Sequence, residues 1–177
     1  SKSKSLLEVG AGELTTISLV LDSLKKKISY SGAIDISLNR LLVGKKYLKS
    51  QGNKVDFLAR ADASQLPFKD NSFDGCYSHM LYCMALTSSE IIKLNQEVYR
   101  ILKPGGINIF TVRHTGDGDY KKGKHIGEDL YENDGFIVHF FTKEKINQIS
   151  KGFKIEDIFE LHEGSFPRKI FVVTQRK

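Results

Sequence analysis

The sequence predicts a doubly wound α/β fold: a mostly parallel sheet of about seven strands, closed by a C-terminal antiparallel hairpin. Three features carry this expectation. Apolar runs of strand length alternate with segments of helical periodicity through most of the 177 residues. A glycine-rich bend follows the first run, and the last two strand-like runs follow one another with no helical segment between them.

Taken in order, Ser5 to Val9 reads as a short buried strand, followed by a helix in which Leu14, Ile17, Leu21 and Leu24 recur at spacings of three and four. Ser31 to Ile36 is the second strand. Ser37 is placed to cap the next helix, whose inward stripe is Leu38, Leu41, Leu42 and Leu48, and Val55 to Ala61 is the third strand. Phe73 to Ser78 is the fourth. A longer helix opens with a capping box formed by Thr87 and Glu90, buries Ile91, Leu94, Val98 and Leu102, and is stopped by Lys103-Pro104-Gly105-Gly106. Ile107 to Val112 is the fifth strand. The stretch 113–141 shows little periodicity and many Gly, Asp, Lys and His residues; a connection that long in a compact domain is rarely idle, and it is expected to cap a substrate. Within it, the run from Phe136 to Phe141 reads as an apolar element that packs the segment down. Thr142 then caps a short helix, and strands at 153–161 and 170–174 are joined by a turn at 164–167. The whole chain reads as one domain, 1–177.

Composition narrows the function. No apolar run approaches the roughly 20 residues that span a bilayer, so no membrane partner is expected. The only cysteines, Cys76 and Cys83, and the lack of a signal-like start suggest free thiols in the cytoplasm. The net charge of +6 comes from scattered lysine clusters, the usual form of a solvated face, and does not call for nucleic acid. The spacing of His114, His125 and His139 fits no zinc pattern, so no metal is expected.

The central constellation is Leu6-Leu7-Glu8-Val9-Gly10-Ala11-Gly12-Glu13, a strand running into glycines and then a helix. Glycine lets the backbone bend sharply and lets a ligand approach the main chain, although the same glycines would also serve a plain tight turn. A dinucleotide fingerprint needs a third glycine where Thr15 stands. Glu13 at the helix start also disfavours a phosphate: like charges about 4 Å apart repel by roughly 1–4 kcal/mol, against the ~0.3–1 kcal/mol that a helix N-terminus offers an anion. A cationic nucleoside suits these carboxylates better. Asp35, at the carboxyl end of the second strand, could accept from both ribose hydroxyls. Asp62, just past the third, could accept from an adenine amino group while the Ala63 N–H donates to a ring nitrogen. Each aspartate alone could equally be a turn or capping residue.

Five ordered motifs make the chain resemble the class I S-adenosylmethionine-dependent methyltransferases, which share a Rossmann-like methyltransferase fold. They are Glu8 to Gly12, Gly32 to Ser37, Asp62 to Phe68, Ser72 to Asp74 and Leu102 to Gly106. The resemblance implies S-adenosyl-L-methionine as cofactor, with Glu8, Gly10 and Gly12 at its methionine end, Asp35 at the ribose, and Ala11 and Ile36 also among the cofactor-binding residues. It places Asp62 and Ala63 at the adenine, and Ser78 and His79 near the methionine group. The sequence departs from the family at Leu14, where many members have a further glycine. It also leaves no room before Ser5 for the covering helices that members usually carry, which is expected to weaken cofactor binding.

Methyl transfer from a sulfonium needs alignment more than a side-chain nucleophile. If the acceptor holds a proton, His79, His114 and His139 are the candidate bases. Ser78-His79-Met80-Leu81 lacks the Pro-Pro motif of base methyltransferases, 75–89 lacks the paired glutamates of protein arginine methyltransferases, and neither cysteine has the setting of a C5-cytosine nucleophile. A small-molecule acceptor remains, held under the 113–141 segment. The alternatives are a non-catalytic or fragmentary cofactor-binding module and, after it, an RNA methyltransferase.

Overall fold

The computed structural model describes residues 4–24, 27–163 and 168–177, without the side chain of Glu163. The order is β1 (Lys4–Val9), α1 (Thr15–Leu24), β2 (Ile28–Asp35), α2 (Leu38–Ser50), β3 (Phe57–Arg60), β4 (Phe73–His79), α3 (Ser88–Ile101) and β5 (Leu102–Arg113). Then come β6 (Lys124–Gly127), β7 (Leu130–Asn133), β8 (Phe136–His139), α4 (Lys143–Ile149), β9 (Lys154–Glu163) and β10 (Arg168–Arg176). Seven strands form one sheet in the order β3-β2-β1-β4-β5-β10-β9. The first five run parallel, while β10 is antiparallel to both β5 and β9. The expected architecture is therefore present; the turn expected at 164–167 lies outside the described residues.

Alternation along the parallel strands sends side chains to two layers. Leu7, Val9, Cys76, Phe110 and Val112 pack with Ile91, Leu94 and Val98 of α3 and Ile146 of α4. On the other face Leu6, Tyr77 and Ala33 meet Leu14, Ile17 and Leu21 of the α1 region and Leu41 and Leu48 of α2. The helix starts follow their local chemistry. Ser37 and Thr142 accept the N–H three residues on, and Thr87 with Glu90 forms the reciprocal capping box.

Two motifs act as fasteners at the amino edge of the sheet and beneath α3. The Asp74 carboxylate accepts from the Ser5 N–H (3.0 Å) and hydroxyl (2.7 Å) and from Lys103 Nζ (2.8 Å), joining the starts of β1, β4 and β5. Burial alone would raise this carboxyl, yet these donors hold it well below the usual carboxylate range. Arg100 donates to the Leu66 and Phe68 carbonyls (2.9 and 2.7 Å), and Glu97 accepts from the Leu66 N–H (2.7 Å), so α3 fixes the Leu66-Pro67-Phe68 segment.

The structure corrects four sequence expectations. Of the inward stripe expected for α2, Leu41 and Leu48 are buried but Leu38 and Leu42 are about half exposed, because the buried row of the helix is Leu41, Gly44 and Leu48. β2 begins at Ile28, three residues early, because Lys4 already pairs with Ile28. Lys103–Gly106 does not form a separate stop: β5 starts directly at Leu102, and these four residues bulge out between the pairs Phe73↔Leu102 and Gly75↔Ile107. Segment 113–141 is no loop but carries the three-stranded antiparallel sheet β6-β7-β8. Its strands are four residues each with a register shift between His125 and Gly127, too short and irregular to show a period of two. Phe140 and Phe141 are buried as the apolar anchor of that segment, whereas Phe136 is largely exposed.

Gly44 decides how closely α2 approaches the bend after β1. A Cβ there would lie 2.6 Å from the Glu13 carbonyl carbon and 2.6 Å from Leu14 Cγ. Alanine normally gains ~0.5–1 kcal/mol over glycine within a helix, but overpacking of this kind costs about 1–3 kcal/mol. Gly44→Ala is therefore expected to lower unfolding free energy by about 1–2 kcal/mol in urea titration; a stabilised variant would contradict this packing.

Candidate functional site

The carboxyl edge of the parallel strands brings the predicted residues together. After β1 the chain bends through Gly10 (φ 71°) and Gly12 (φ 52°), left-handed conformations that favour glycine. Space forbids side chains there as well. A Cβ on Gly10 would stand 2.8 Å from Leu81 Cδ1, and one on Gly12 would stand 2.7 Å from Arg40 Nη2. Leu14 is also left-handed (φ 62°), at the position where the motif resemblance leads one to expect a further glycine. Its side chain is completely buried, and that burial, worth roughly 1.5–3 kcal/mol, offsets the ~1–2 kcal/mol cost of the backbone.

Asp35 organises the bend. Its Oδ2 accepts the Gly12 N–H and its Oδ1 accepts the Ser37 N–H, both at 2.8 Å, so one buried carboxylate joins the β1–α1 and β2–α2 connections. Each oxygen keeps a second acceptor direction. Asp62 lies on the same edge, since Asp35 pairs with Arg60 and the Ala61 N–H reaches the Asp35 carbonyl at 3.1 Å. Asp62 is exposed, with Oδ1 accepting from the Ser64 N–H at 2.8 Å, and its hydrogen bonds from Ser64 lower its pKa. Ala63 is half-buried and Ile36 is exposed beside Asp35.

Glu8 is buried opposite Tyr77 on β4, and its Oε2 has no hydrogen-bond partner. Burial pushes this carboxyl up to about 8, although the nearby Tyr77 hydroxyl and Ile17 N–H favour the ionised form. Ser78, at the end of β4, is also buried with an unpartnered hydroxyl. Two orphaned oxygens and a glycine cradle on one edge fit a ligand that brings both positive charge and hydrogen-bond donors.

The three candidate histidines do not share a site. His79 is exposed at the carboxyl edge, and its Nδ1 lies 2.9 Å from the Thr111 hydroxyl, which accepts the Met80 N–H at 2.9 Å. If Nδ1–H donates to that hydroxyl, whose oxygen can accept twice, the remaining ring nitrogen is unprotonated and left as an acceptor. His114 accepts the Gly116 N–H through Nδ1 (2.8 Å) and stacks on Phe171 at 4.5 Å, and burial lowers its pKa. His139 is fully buried in β8. Its Nδ1 lies 2.7 Å from the Leu86 carbonyl and its Nε2 2.6 Å from Lys145 Nζ; burial again lowers its pKa. Lys145 also donates to Asp129 (2.9 Å), which accepts from the Tyr120 hydroxyl (3.0 Å). This network binds the inserted sheet to α4 and to the β4–α3 connection. Among the described residues, no cluster of three or more metal-ligating side chains occurs.

Sequence reasoning missed Arg40 and Leu81, which press on the two glycines from α2 and from the β4–α3 connection. Arg40 also stands 4.0 Å from Glu13 and offsets its charge, so the repulsion invoked against a phosphate is weaker than the sequence implies. The one signal for Arg40 was its place three residues after the capping Ser37; Leu81 left none.

With this geometry in place, comparison with known proteins is informative. A family model described as a methyltransferase domain matches residues 7–110. The chain belongs to that family. It is 34% identical over 106 residues to the ubiquinone/menaquinone biosynthesis C-methyltransferase of Bartonella quintana, covering 57% of this chain and 38% of the relative. It is 30% identical over 111 residues to the malonyl-[acyl-carrier protein] O-methyltransferase of Marinomonas, covering 63% and 38%. The matches thus span well under half the length of these curated relatives. Among solved structures, a methyltransferase dependent on S-adenosylmethionine from Methanosarcina mazei superposes with a TM-score of 0.79 at 22% identity, covering 100% of this chain and 93% of that one. A Burkholderia thailandensis 1,6-didemethyltoxoflavin N1-methyltransferase with bound S-adenosylhomocysteine gives 0.76 at 16% identity, covering 99% and 72%. The family's cofactor is S-adenosylmethionine, as the motif resemblance implied.

Two outcomes follow from the carboxylates. Asp35→Asn puts an amide NH2 against one of two backbone donors, and should lower stability by about 1.5–3 kcal/mol, the range for a charge-assisted hydrogen bond. Glu8 holds its proton in the folded chain up to about pH 8 but releases it near pH 4–5 when unfolded, so its contribution is full below that lower value and is lost as pH rises toward 8. Urea midpoints should therefore fall from pH 5 to 8 in the native sequence and fall less in Glu8→Gln; parallel profiles would exclude this assignment.

Proposed function

We propose that this chain is a cytoplasmic methyltransferase domain that moves a methyl group from S-adenosylmethionine to a small-molecule acceptor held beneath the inserted β6–β8 sheet. The observation that carries the reading is the buried Asp35 carboxylate joining both bends of the edge on which Asp62 also lies. In this reading Glu8, Gly10, Ala11 and Gly12 hold the methionine end of the cofactor. Asp35 and Ile36 hold the ribose, Asp62 and Ala63 the adenine, and Ser78 and His79 border the methionine group. When bound, the cofactor supplies a methyl group on a cationic sulfur, already activated for displacement.

The chain's own part is alignment and exclusion of water, from which a large share of the acceleration is available, potentially ~7–11 kcal/mol. A cavity of about 410 Å³ lies beside the inserted sheet, lined by Arg113, Asp119, Tyr131, Phe136, Phe140 and Arg168 among others. Tyr131 and Phe140 both pack against Tyr120, and Arg113 lies over Phe140 at 5.4 Å while ion-paired with Asp117 and Asp119. Such a pocket suits an acceptor with a flat or apolar body and a few polar substituents. A relative named for ubiquinone/menaquinone biosynthesis supports that class. His79 is the favoured base for an acceptor that carries a proton, because His114 and His139 are packed into the fold. The buried, free thiols of Cys76 and Cys83 support a reducing compartment.

Calorimetry with S-adenosylhomocysteine tests the cofactor assignment, and Asp35→Asn should weaken binding at least tenfold. Turnover with phenolic and quinone-like acceptors tests the reaction, and Tyr131→Ala should raise KM for the acceptor without changing affinity for the cofactor. Cofactor binding with no turnover across a broad acceptor panel would favour a non-catalytic module instead, and methylation of RNA alone would overturn the choice of acceptor.

A further inference from the structure

A domain can lie against a bilayer without crossing it. Among the described residues no helix is long and apolar enough to cross. α2 nevertheless has an unusual outer surface. In Leu38–Ser50 there is no acidic residue, not even in the first turn, where the helix dipole favours one. Its outward positions carry Leu38, Leu42 and Val43, which are 50%, 51% and 54% exposed, followed by Lys45, Lys46 and Lys49.

Helical spacing sorts these residues into one face. Leu38, Leu42, Lys45 and Lys49 follow one another at four, three and four, and they form one wall of a groove of about 720 Å³ between α2 and the edge strand β3. Leu41, Leu48, Val55, Phe57 and Leu58 line its apolar interior, and Lys54 and Arg60 stand on the far side. β3 is the outermost strand of the sheet, so nothing in the sheet continues past this groove. Lys45, Lys46, Lys49 and Lys54 form no ion pair among the described residues. Arg40 is partly offset by Glu13, and Asp56, which accepts the Ser31 N–H at 2.7 Å, is the one acidic residue in the groove lining against Lys45, Lys49, Lys54 and Arg60, so the groove stays net positive.

We infer that the α2 face with the α2–β3 groove docks on the surface of an anionic lipid bilayer. Charge complementarity argues for the occupant: uncompensated lysines attract an anionic surface, and their apolar stems let the ammonium groups stay at headgroup level. The exposed leucines and Val43 argue for lipid over another polyanion, because nucleic acid offers phosphates but no apolar layer to receive them. Val43 and Lys46 lie outside the groove lining, so the surface is broader than a pocket for one small anion. The inference does not depend on the reaction assigned above.

The test is co-sedimentation of the whole chain with vesicles of phosphatidylcholine alone and of phosphatidylcholine containing phosphatidylglycerol, at low and high salt. Binding is expected only with phosphatidylglycerol and should weaken as salt rises. Lys45→Glu with Lys49→Glu should reduce it more than tenfold, at about fivefold for each lysine charge lost. Leu42→Ser with Val43→Ser should also reduce it several-fold. All four sites are exposed and outside the proposed cofactor edge, so S-adenosylhomocysteine binding serves as the folding control. No binding to the anionic vesicles at low salt overturns the inference. So does vesicle binding that survives the Leu42 and Val43 changes, or tighter binding to single-stranded RNA than to vesicles; either would mark the surface as a site for polyanions.

Discussion

A single buried carboxylate holds the working edge of this domain together. Asp35 receives the Gly12 N–H with one oxygen and the Ser37 N–H with the other, so the bend after β1 and the start of α2 have one shared anchor. Neither bend is self-sufficient. Gly12 is in a left-handed conformation that contributes no side-chain packing, and the Ser37 cap is a long 3.4 Å contact to Arg40. Around this anchor the surrounding side chains press inward. Arg40 covers Gly12, Leu81 covers Gly10, and Gly44 lets α2 come against the Glu13–Leu14 backbone.

The two edges of the sheet handle their acids in opposite ways. At the amino edge Asp74 is surrounded by donors and stays ionised, joining three strands. At the carboxyl edge Glu8 has an oxygen without a partner and a raised pKa, and Ser78 nearby is also unsatisfied. A fold that can satisfy one acid so fully and leaves the other short of donors keeps its unspent polar capacity where a ligand is expected.

Much of the framework was legible because it rests on local rules. Glycines after a strand, Ser37 and Thr142 as caps, and the Thr87–Glu90 box each act over three or four residues, and the structure has them where the sequence put them. The features that escaped depend on partners distant in sequence. β6, β7 and β8 are held by pairing with one another and by His139, Lys145 and Asp129, not by an alternating pattern of their own. Lys103–Gly106 looked like a stop because proline and glycine usually are one. The structure uses them as a bulge instead, with the Gly105 N–H and the Gly106 carbonyl bonded to Lys177. Of the candidate site, the strand-end residues were readable one by one. The contacts that shape them, Arg40 on Gly12 and Leu81 on Gly10, arise only when α2 and the β4–α3 connection are in place.

The placement of β10 has a consequence for assembly. It lies between β5 and β9, and β9 has no other neighbour in the sheet. Residues 168–176 are therefore an interior strand made after every other strand of that sheet, and until they emerge β9 has nothing to pair with and β5 presents an open flank. A nascent chain in which the five parallel strands have already paired still leaves the backbone N–H and C=O groups of β5 unpaired along that flank. Such an unpaired edge is a template for edge-to-edge aggregation, and pairing with β10 closes it.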